Sequence, residues 1–248
     1  MMDRYMQISI AAMEIAGAKN NTIALTGAGI SVASGIPAFR GVGGLWDKYD
    51  PEEYATIEAF RKNPAKVWVM LKEFKEVIQN ARPNPAHLAL AKLEQLGYLR
   101  AIITQNVDGL HQEAGNTNVI EFHGNNRETV CLKCGRKYPG RELALDTLPP
   151  YCNCGGVLKP DAVFFGEPIP WEALSRSHEE AYNCRVVLVI GTSAVVEPAA
   201  SIPYLARRAG ARIIEVNPER ALSADIFLRG PAEEIMPLLV DEVIRISS

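Results

Sequence analysis

The chain has 248 residues, nearly half of them apolar and under a quarter charged, which excludes disorder and fits one large domain or one large domain with a small module. A formal net charge of −3 argues against a broad electrostatic grip on nucleic acid, so no direct nucleic-acid binding is expected. No stretch reaches the roughly 18 uninterrupted apolar residues of a membrane span, and Met1 to Met13 lacks the pattern of a secretory signal, so a cytoplasmic protein with no membrane partner is expected.

In chain order, Met2 to Gly17 places Ile8, Ala12 and Ile15 at helical spacing and predicts a first helix with Gly17 as its stop. Thr22 to Thr26 reads as a short buried strand. It opens into the turn Gly27-Ala28-Gly29-Ile30-Ser31, and a helix is expected to begin or be interrupted at Ser34-Gly35-Ile36-Pro37. Helices follow at Pro51 to Lys62, Pro64 to Gln79 and Pro85 to Leu96, each started at or beside a proline whose missing N–H would be unpaired in a first turn anyway. Strands are expected at Leu99 to Thr104, Val119 to Phe122, Arg185 to Ile190 and Arg212 to Val216, with helices at Pro198 to Ala209 and Ala232 to Ile246. Such alternation predicts an α/β fold with a mainly parallel sheet covered on both faces. Arg127 to Lys159, cysteine-bearing and rich in glycine and proline, reads as an inserted module.

The turn Gly27-Ala28-Gly29 suits a backbone that approaches a pyrophosphate closely, because glycine carries no Cβ and helix-end N–H groups can face the anion; a plain tight turn reads equally well. The usual dehydrogenase fingerprint is broken, since Val32 occupies the third glycine position. Gly191-Thr192-Ser193 and Val216-Asn217 follow apolar strands where open parallel sheets hold ligands, although Ser193 and Asn217 would serve as well to cap helices or shape turns. Gln105, Asn106 and Asp108 cluster after the Leu99 to Thr104 strand, and capping accounts for Asp108 alone. His123 follows a strand and precedes Gly124, a setting that favours proton transfer over a purely structural histidine, with the glycine leaving room for a ligand.

Cys131-x2-Cys134 and Cys152-x-Cys154, 17 residues apart, match a four-thiolate tetrahedral zinc site of the closed, structural kind. The one-residue spacer in the second pair is shorter than usual and keeps a disulfide or a three-cysteine site open. Cys184 stands alone and is expected in the core.

Together these segments resemble the sirtuin family of NAD-dependent protein deacylases over nearly the whole chain. The matches run through Gly27 to Ser31, Ser34-Gly35-Ile36-Pro37-Ala38-Phe39-Arg40-Gly41, Thr104 to His111, Phe122-His123-Gly124, both cysteine pairs, Phe165-Gly166-Glu167, Gly191-Thr192-Ser193 and Val216-Asn217. The resemblance implies a Rossmann-like NAD-binding domain over residues 1–126 and 160–248, a zinc-binding module over 127–159 and a smaller helical insert within about 40–80. It implies His123 as general base on the nicotinamide-side ribose, with Asn106 and Asp108 shaping the nicotinamide pocket. Phe39 and Arg40 would cover the ribose and lie near the phosphates, and Gly27, Ala28, Gly29, Gln105, Gly191, Thr192, Ser193 and Asn217 would bind the rest of NAD. Val163, Phe165, Gly166 and Glu167, with Val195 and Val196, would form the cleft in which an extended acyl-lysine peptide adds as a strand. NAD is then a consumed co-substrate, the acyl group passes to ADP-ribose, nicotinamide is released, and Zn2+ is structural.

The chain also carries Gly41-Val42-Gly43-Gly44-Leu45-Trp46, typical of the sirtuin subgroup that includes desuccinylases. Those members place a tyrosine and an arginine three apart on a pocket helix, and alignment on Trp68 puts Leu71 and Phe74 there. Neither can clasp a carboxylate as arginine does, so acetyl-lysine or longer apolar acyl-lysine is expected over succinyl or malonyl substrates. The alternatives are a protein ADP-ribosyltransferase, which begins with the same nicotinamide cleavage, a non-catalytic zinc-bearing module that binds acyl peptides, and an NAD-dependent dehydrogenase.

Overall fold

The computed structural model describes residues 3–40 and 43–247, so Gly41 and Val42 of the glycine-rich segment lie outside the described residues. Among the described residues the main sheet has six strands, β1 (Thr22–Thr26), β2 (Leu99–Thr104), β3 (Val119–Glu121), β7 (Val186–Ile190), β8 (Arg212–Asn217) and β9 (Ile226–Arg229). Their order is β3-β2-β1-β7-β8-β9, all paired in parallel. The chain moves outward from β1 to β2 and β3, then returns to place β7 on the other side of β1. That reversal makes the ends of β1 and β7 a topological switch point, where open parallel sheets bind ligands.

Period-two alternation sends neighbouring side chains to opposite faces. Ala24, Ile102, Leu188, Ile190 and Ile214 pack under α1 (Arg4–Ala18), α6 (Pro85–Gln95) and α10 (Ala232–Ser247). Ile23, Leu25, Ala101, Ile103, Val187, Val189 and Ile213 pack under α8 (Trp171–Asn183) and α9 (Ile202–Arg208). Burial on both faces explains why β7 reads as an unbroken apolar run, and β1 as an apolar run between two threonines, rather than as alternating ones. Among the described residues no helix is long and apolar enough to cross a membrane.

A second, antiparallel sheet joins β5 (Lys137–Pro139), β4 (Gly124–Cys131) and β6 (Leu158–Ala162) in that order. Its apolar centre is small: Cys131, Cys152 and Leu158, with Tyr138 and Leu143 against them. So little burial cannot hold a sheet by itself, which leaves the cohesion to the cysteines and to packing on the helices beside it. Those helices are α2 (Leu45–Lys48), α3 (Pro51–Tyr54), α4 (Ile57–Lys62) and α5 (Pro64–Asn80), clustered around Phe60, Val67 and Trp68 with Phe164. Trp68 Nε1 donates to Leu158 O at 2.8 Å, tying α5 to β6. Losing that donor would strand a buried carbonyl at a cost of about 1–3 kcal/mol.

The expected Pro51 to Lys62 helix is broken at Ala55 and Thr56, and the reason is long-range. Phe165 N donates to Ala55 O at 2.9 Å and Ile57 N donates to Phe165 O at 3.0 Å, so the break supplies a short parallel bridge to the segment around Phe165. The glycine turn also differs from expectation, passing directly into a 3-10 helix over Ala28–Ser34 that ends at left-handed Gly35. The expected helix from Pro198 begins as a 3-10 turn, Ala199–Ser201, before α9.

Candidate active site

The strand ends at the switch point open into a cavity of about 1290 Å³. It is lined by Gly27, Ala28, Gly29, Phe39, Arg40, Gln105, Asn106, His123, Gly191, Thr192, Ser193 and Asn217 from the expected dinucleotide site, and by Leu71, Phe74, Val163, Phe165, Gly166, Glu167 and Val196 from the expected substrate site. Asp108 and Val195 are not part of the lining.

The polar end is built from side chains that fix one another. Thr26 Oγ1 donates to Thr104 Oγ1 at 2.9 Å, and Thr104 Oγ1 accepts Asn106 N at 3.1 Å. Asn106 Nδ2 donates to Gly27 O at 3.1 Å and Ser31 Oγ at 3.2 Å, and Ser31 Oγ donates to Asp108 Oδ2 at 2.7 Å. Asp108 also accepts Leu110 N at 3.0 Å. Burial pushes the Asp108 carboxyl up, against the pull of these bonds. Its observed role is to anchor Ser31, and through Ser31 the Asn106 amide that faces the cavity. Ser31 stood in the sequence motif without a role; a 3-10 helix starting immediately after Gly27 is what turns its hydroxyl inward, and the expected later helix start concealed this.

Besides lining the cavity, the glycines allow a close approach of two turns. A Cβ on Gly29 would come within 2.7 Å of Gly191 O, and one on Gly27 within 2.8 Å of Gly191 O and Thr192. Gly29 N donates to Gly191 O at 2.8 Å, so the turns after β1 and β7 lie backbone against backbone. Gly124 likewise makes room for its partner strand rather than for a ligand: with φ +71°, its Cβ would meet Asp161 O. Thr192 Oγ1 is occupied by Gln105 Nε2 at 3.0 Å and Ala194 N at 3.2 Å, while Ser193 is exposed. Asn217 Nδ2 is held by Thr192 O at 3.1 Å and Glu215 Oε1 at 3.0 Å.

His123 is the one of the four histidines that lines the cavity. Its Nδ1 lies 3.2 Å from Gln105 O, and a carbonyl can only accept, so Nδ1 carries the proton and Nε2 keeps the lone pair. Burial holds the imidazole below its ordinary value, with the Gln105 bond opposing the shift. His87 and His111, whose rings lie 4.9 Å apart, are buried behind the polar end. Burial drives His87 down to about 4 and His111 well below its usual range, so both stay neutral.

At the other end, Phe39 stacks on Trp46 with centroids 5.2 Å apart and lies 6.3 Å from the Phe74 ring. Leu71 and Phe74 both line the cavity, joined by Met70, Leu45 and Trp46, which the sequence reading had not assigned. β6 leads directly into the segment Val163 to Gly166, and Val163 N donates to His123 O at 2.8 Å, so this segment starts beside the histidine. Glu167 lines the cavity, and its Oε2 accepts Phe164 N and Lys159 Nζ, each at 2.9 Å.

All four cysteines of the module converge, with their sulfur atoms within 4.8 Å of one another. Cys131 Sγ and Cys154 Sγ are 3.5 Å apart, and Cys134 Sγ and Cys152 Sγ 3.7 Å. A zinc ion with four thiolates at about 2.3 Å needs sulfur–sulfur edges of roughly 3.8 Å, so the donor set fits, short spacer included. Cys184 is buried, and its thiol is pushed up to about 11 by that burial.

Residues 27–198 match the model of the Sir2 family. The NAD-dependent protein deacylase 2 of Pyrobaculum aerophilum is 50% identical over 236 residues, covering 94% of each chain. A solved Sir2 homologue in complex with NAD superposes with a TM-score of 0.89 at 44% identity, covering 100% of this chain and 96% of the other. Sir2Af2 bound to a myristoylated histone peptide superposes with a TM-score of 0.81 at 38% identity, covering 97% of both chains. With the α/β sheet, the four-thiolate module and the cavity at the switch point already in place, these matches establish that the chain belongs to the Sir2, or sirtuin, family.

Proposed function

We propose that the protein is an NAD-dependent protein-lysine deacylase acting on acetyl-lysine or longer apolar acyl-lysine peptides in the cytoplasm. The observation that carries this reading is His123, with a free Nε2 lone pair, between a polar strand-end pocket and a backbone segment suited to an extended peptide. In this reading residues 1–126 and 160–248 form the dinucleotide domain, with a zinc module at 127–159 and a helical insert within about 40–80.

The residues present fit NAD. The Gly27 to Gly29 turn, whose Gly27 N and Gly29 N are bonded to Ile190 O and Gly191 O, lines one cavity with the amides of Gln105 and Asn217 and the Ser193 hydroxyl, and Asn106 with its Ser31 and Asp108 support suits the nicotinamide amide. NAD supplies an ADP-ribosyl group that accepts the acyl group once nicotinamide has left. His123 Nε2 takes the proton of a ribose hydroxyl, and Nδ1, held on Gln105 O, keeps the ring oriented. The stacked Phe39 and Trp46 rings exclude water from the reacting sugar.

Val163, Phe165 and Gly166 on one segment and Val195 and Val196 on another receive the peptide as an added strand. A solved relative holding a myristoylated histone peptide supports room for long apolar acyl groups, and Leu71 and Phe74 line the cavity where such a chain would lie. Mass spectrometry of an acetyl-lysine peptide incubated with and without NAD tests the reading. Loss of the acyl mass is expected only with NAD; gain of an ADP-ribose mass would favour the transferase reading, and no change with any acyl peptide would favour a binding module.

A further inference from the structure

Lys159 is buried, 4% exposed, on β6 at the end of the inserted module, and no role was expected of it. A buried ammonium is costly unless its donors are met, and here they are met by one short stretch of chain. Nζ donates to Ala162 O at 2.6 Å, Pro160 O at 3.1 Å and Glu167 Oε2 at 2.9 Å, and it sits 4.6 Å from the centroid of the Phe164 ring. Glu167 Oε2 also accepts Phe164 N at 2.9 Å, while Glu167 N donates to Phe164 O at 3.0 Å.

The stretch bracketed in this way, from Ala162 to Glu167, is the segment assigned above to the peptide. Its other supports are backbone bonds from Val163 to His123 and between Phe165 and the Ala55 to Ile57 break. We infer that Lys159 and Glu167 form an internal clamp that sets the backbone of Val163 to Gly166 in its peptide-receiving conformation, making Lys159 a positioning residue for substrate affinity. Burial pulls the Lys159 ammonium down while Glu167 pulls it up, consistent with a pair whose members are held by each other. The inference rests on the deacylase reading, and it moves Glu167 from contacting the peptide to shaping the segment that does.

The test is steady-state kinetics with an acetyl-lysine peptide, together with calorimetric ADP-ribose binding and thermal melting, on wild type, Lys159→Met, Lys159→Arg and Glu167→Gln. Lys159→Met is expected to raise the peptide KM about tenfold, the equivalent of losing a charge-assisted bond, with kcat per folded enzyme and ADP-ribose affinity within about twofold. Lys159→Arg should recover most of the affinity. Glu167→Gln should raise the same KM by a smaller factor, and it decides the matter if Lys159→Met does not fold. A lowered Tm with an unmoved peptide KM would reduce the pair to a fold-stabilising contact and overturn the inference. An inactive wild type would instead sink the deacylase reading, so the two failures are distinct.

Discussion

At the polar end of the cavity, side chains hold side chains: Asp108 fixes Ser31, Ser31 and Gly27 fix Asn106, and Gln105 fixes His123 and Thr192. At the peptide end, backbone holds backbone, through Val163 to His123 and Phe165 to Ala55 and Ile57, with the Lys159–Glu167 pair beneath. The first arrangement rests on the main sheet, whose two faces are thoroughly buried, whereas the second hangs from β6 in a sheet with a very small core. On the proposed reading, the difference puts the chemistry at the end built on the main sheet and peptide affinity at the end that depends on the cysteine module.

Removing the metal should separate the two ends most completely. Treatment with a strong chelator is expected to abolish acyl-peptide turnover, because the thiolates supply cohesion that the small core lacks, while calorimetry still detects ADP-ribose binding. Equal loss of both would show that the two ends are not separable.

His123→Ala acts on the rigid end and is expected to lower kcat by about 10²–10⁴-fold with little change in ADP-ribose affinity. The same group predicts the pH profile. Reaction needs neutral imidazole, and a base held below its ordinary value stays neutral to lower pH, so activity should fall on acidification with a midpoint below 6.5. A midpoint above that value in a kcat/KM profile would contradict the burial argument.

Leu71→Tyr combined with Phe74→Arg acts at the apolar end and should raise desuccinylation about tenfold, the scale of one bidentate guanidinium–carboxylate contact. Comparing succinyl and acetyl peptides in one assay checks it, and an unchanged ratio would show that these side chains do not face the acyl group.

The sequence revealed this molecule unevenly, and the reasons are physical. β1, β2, β7 and β8 are legible because burial on both faces makes them mainly apolar runs bounded by turns, with Arg100 and Glu215 among the charged exceptions. β9 is a four-residue edge strand, and α8 has a largely polar face, so neither announced itself. β6 is masked by Lys159 and Pro160, which read as loop residues until the ammonium is seen closing on the backbone around it. That His123 and Asn106 would meet at the strand ends and that the four cysteines would cluster was readable from residue type and position, whereas the supports, Ser31 under Asn106 and Lys159 under Phe164, depend on contacts between distant segments.

The most direct test of the account follows nicotinamide release and peptide deacylation together in one reaction of the zinc-loaded protein with NAD and an acetyl-lysine peptide. One nicotinamide is expected for each lysine freed, with both products lost in the absence of either substrate. Nicotinamide formed at the same rate whether or not an acyl peptide is present, with the peptide left intact, would contradict it.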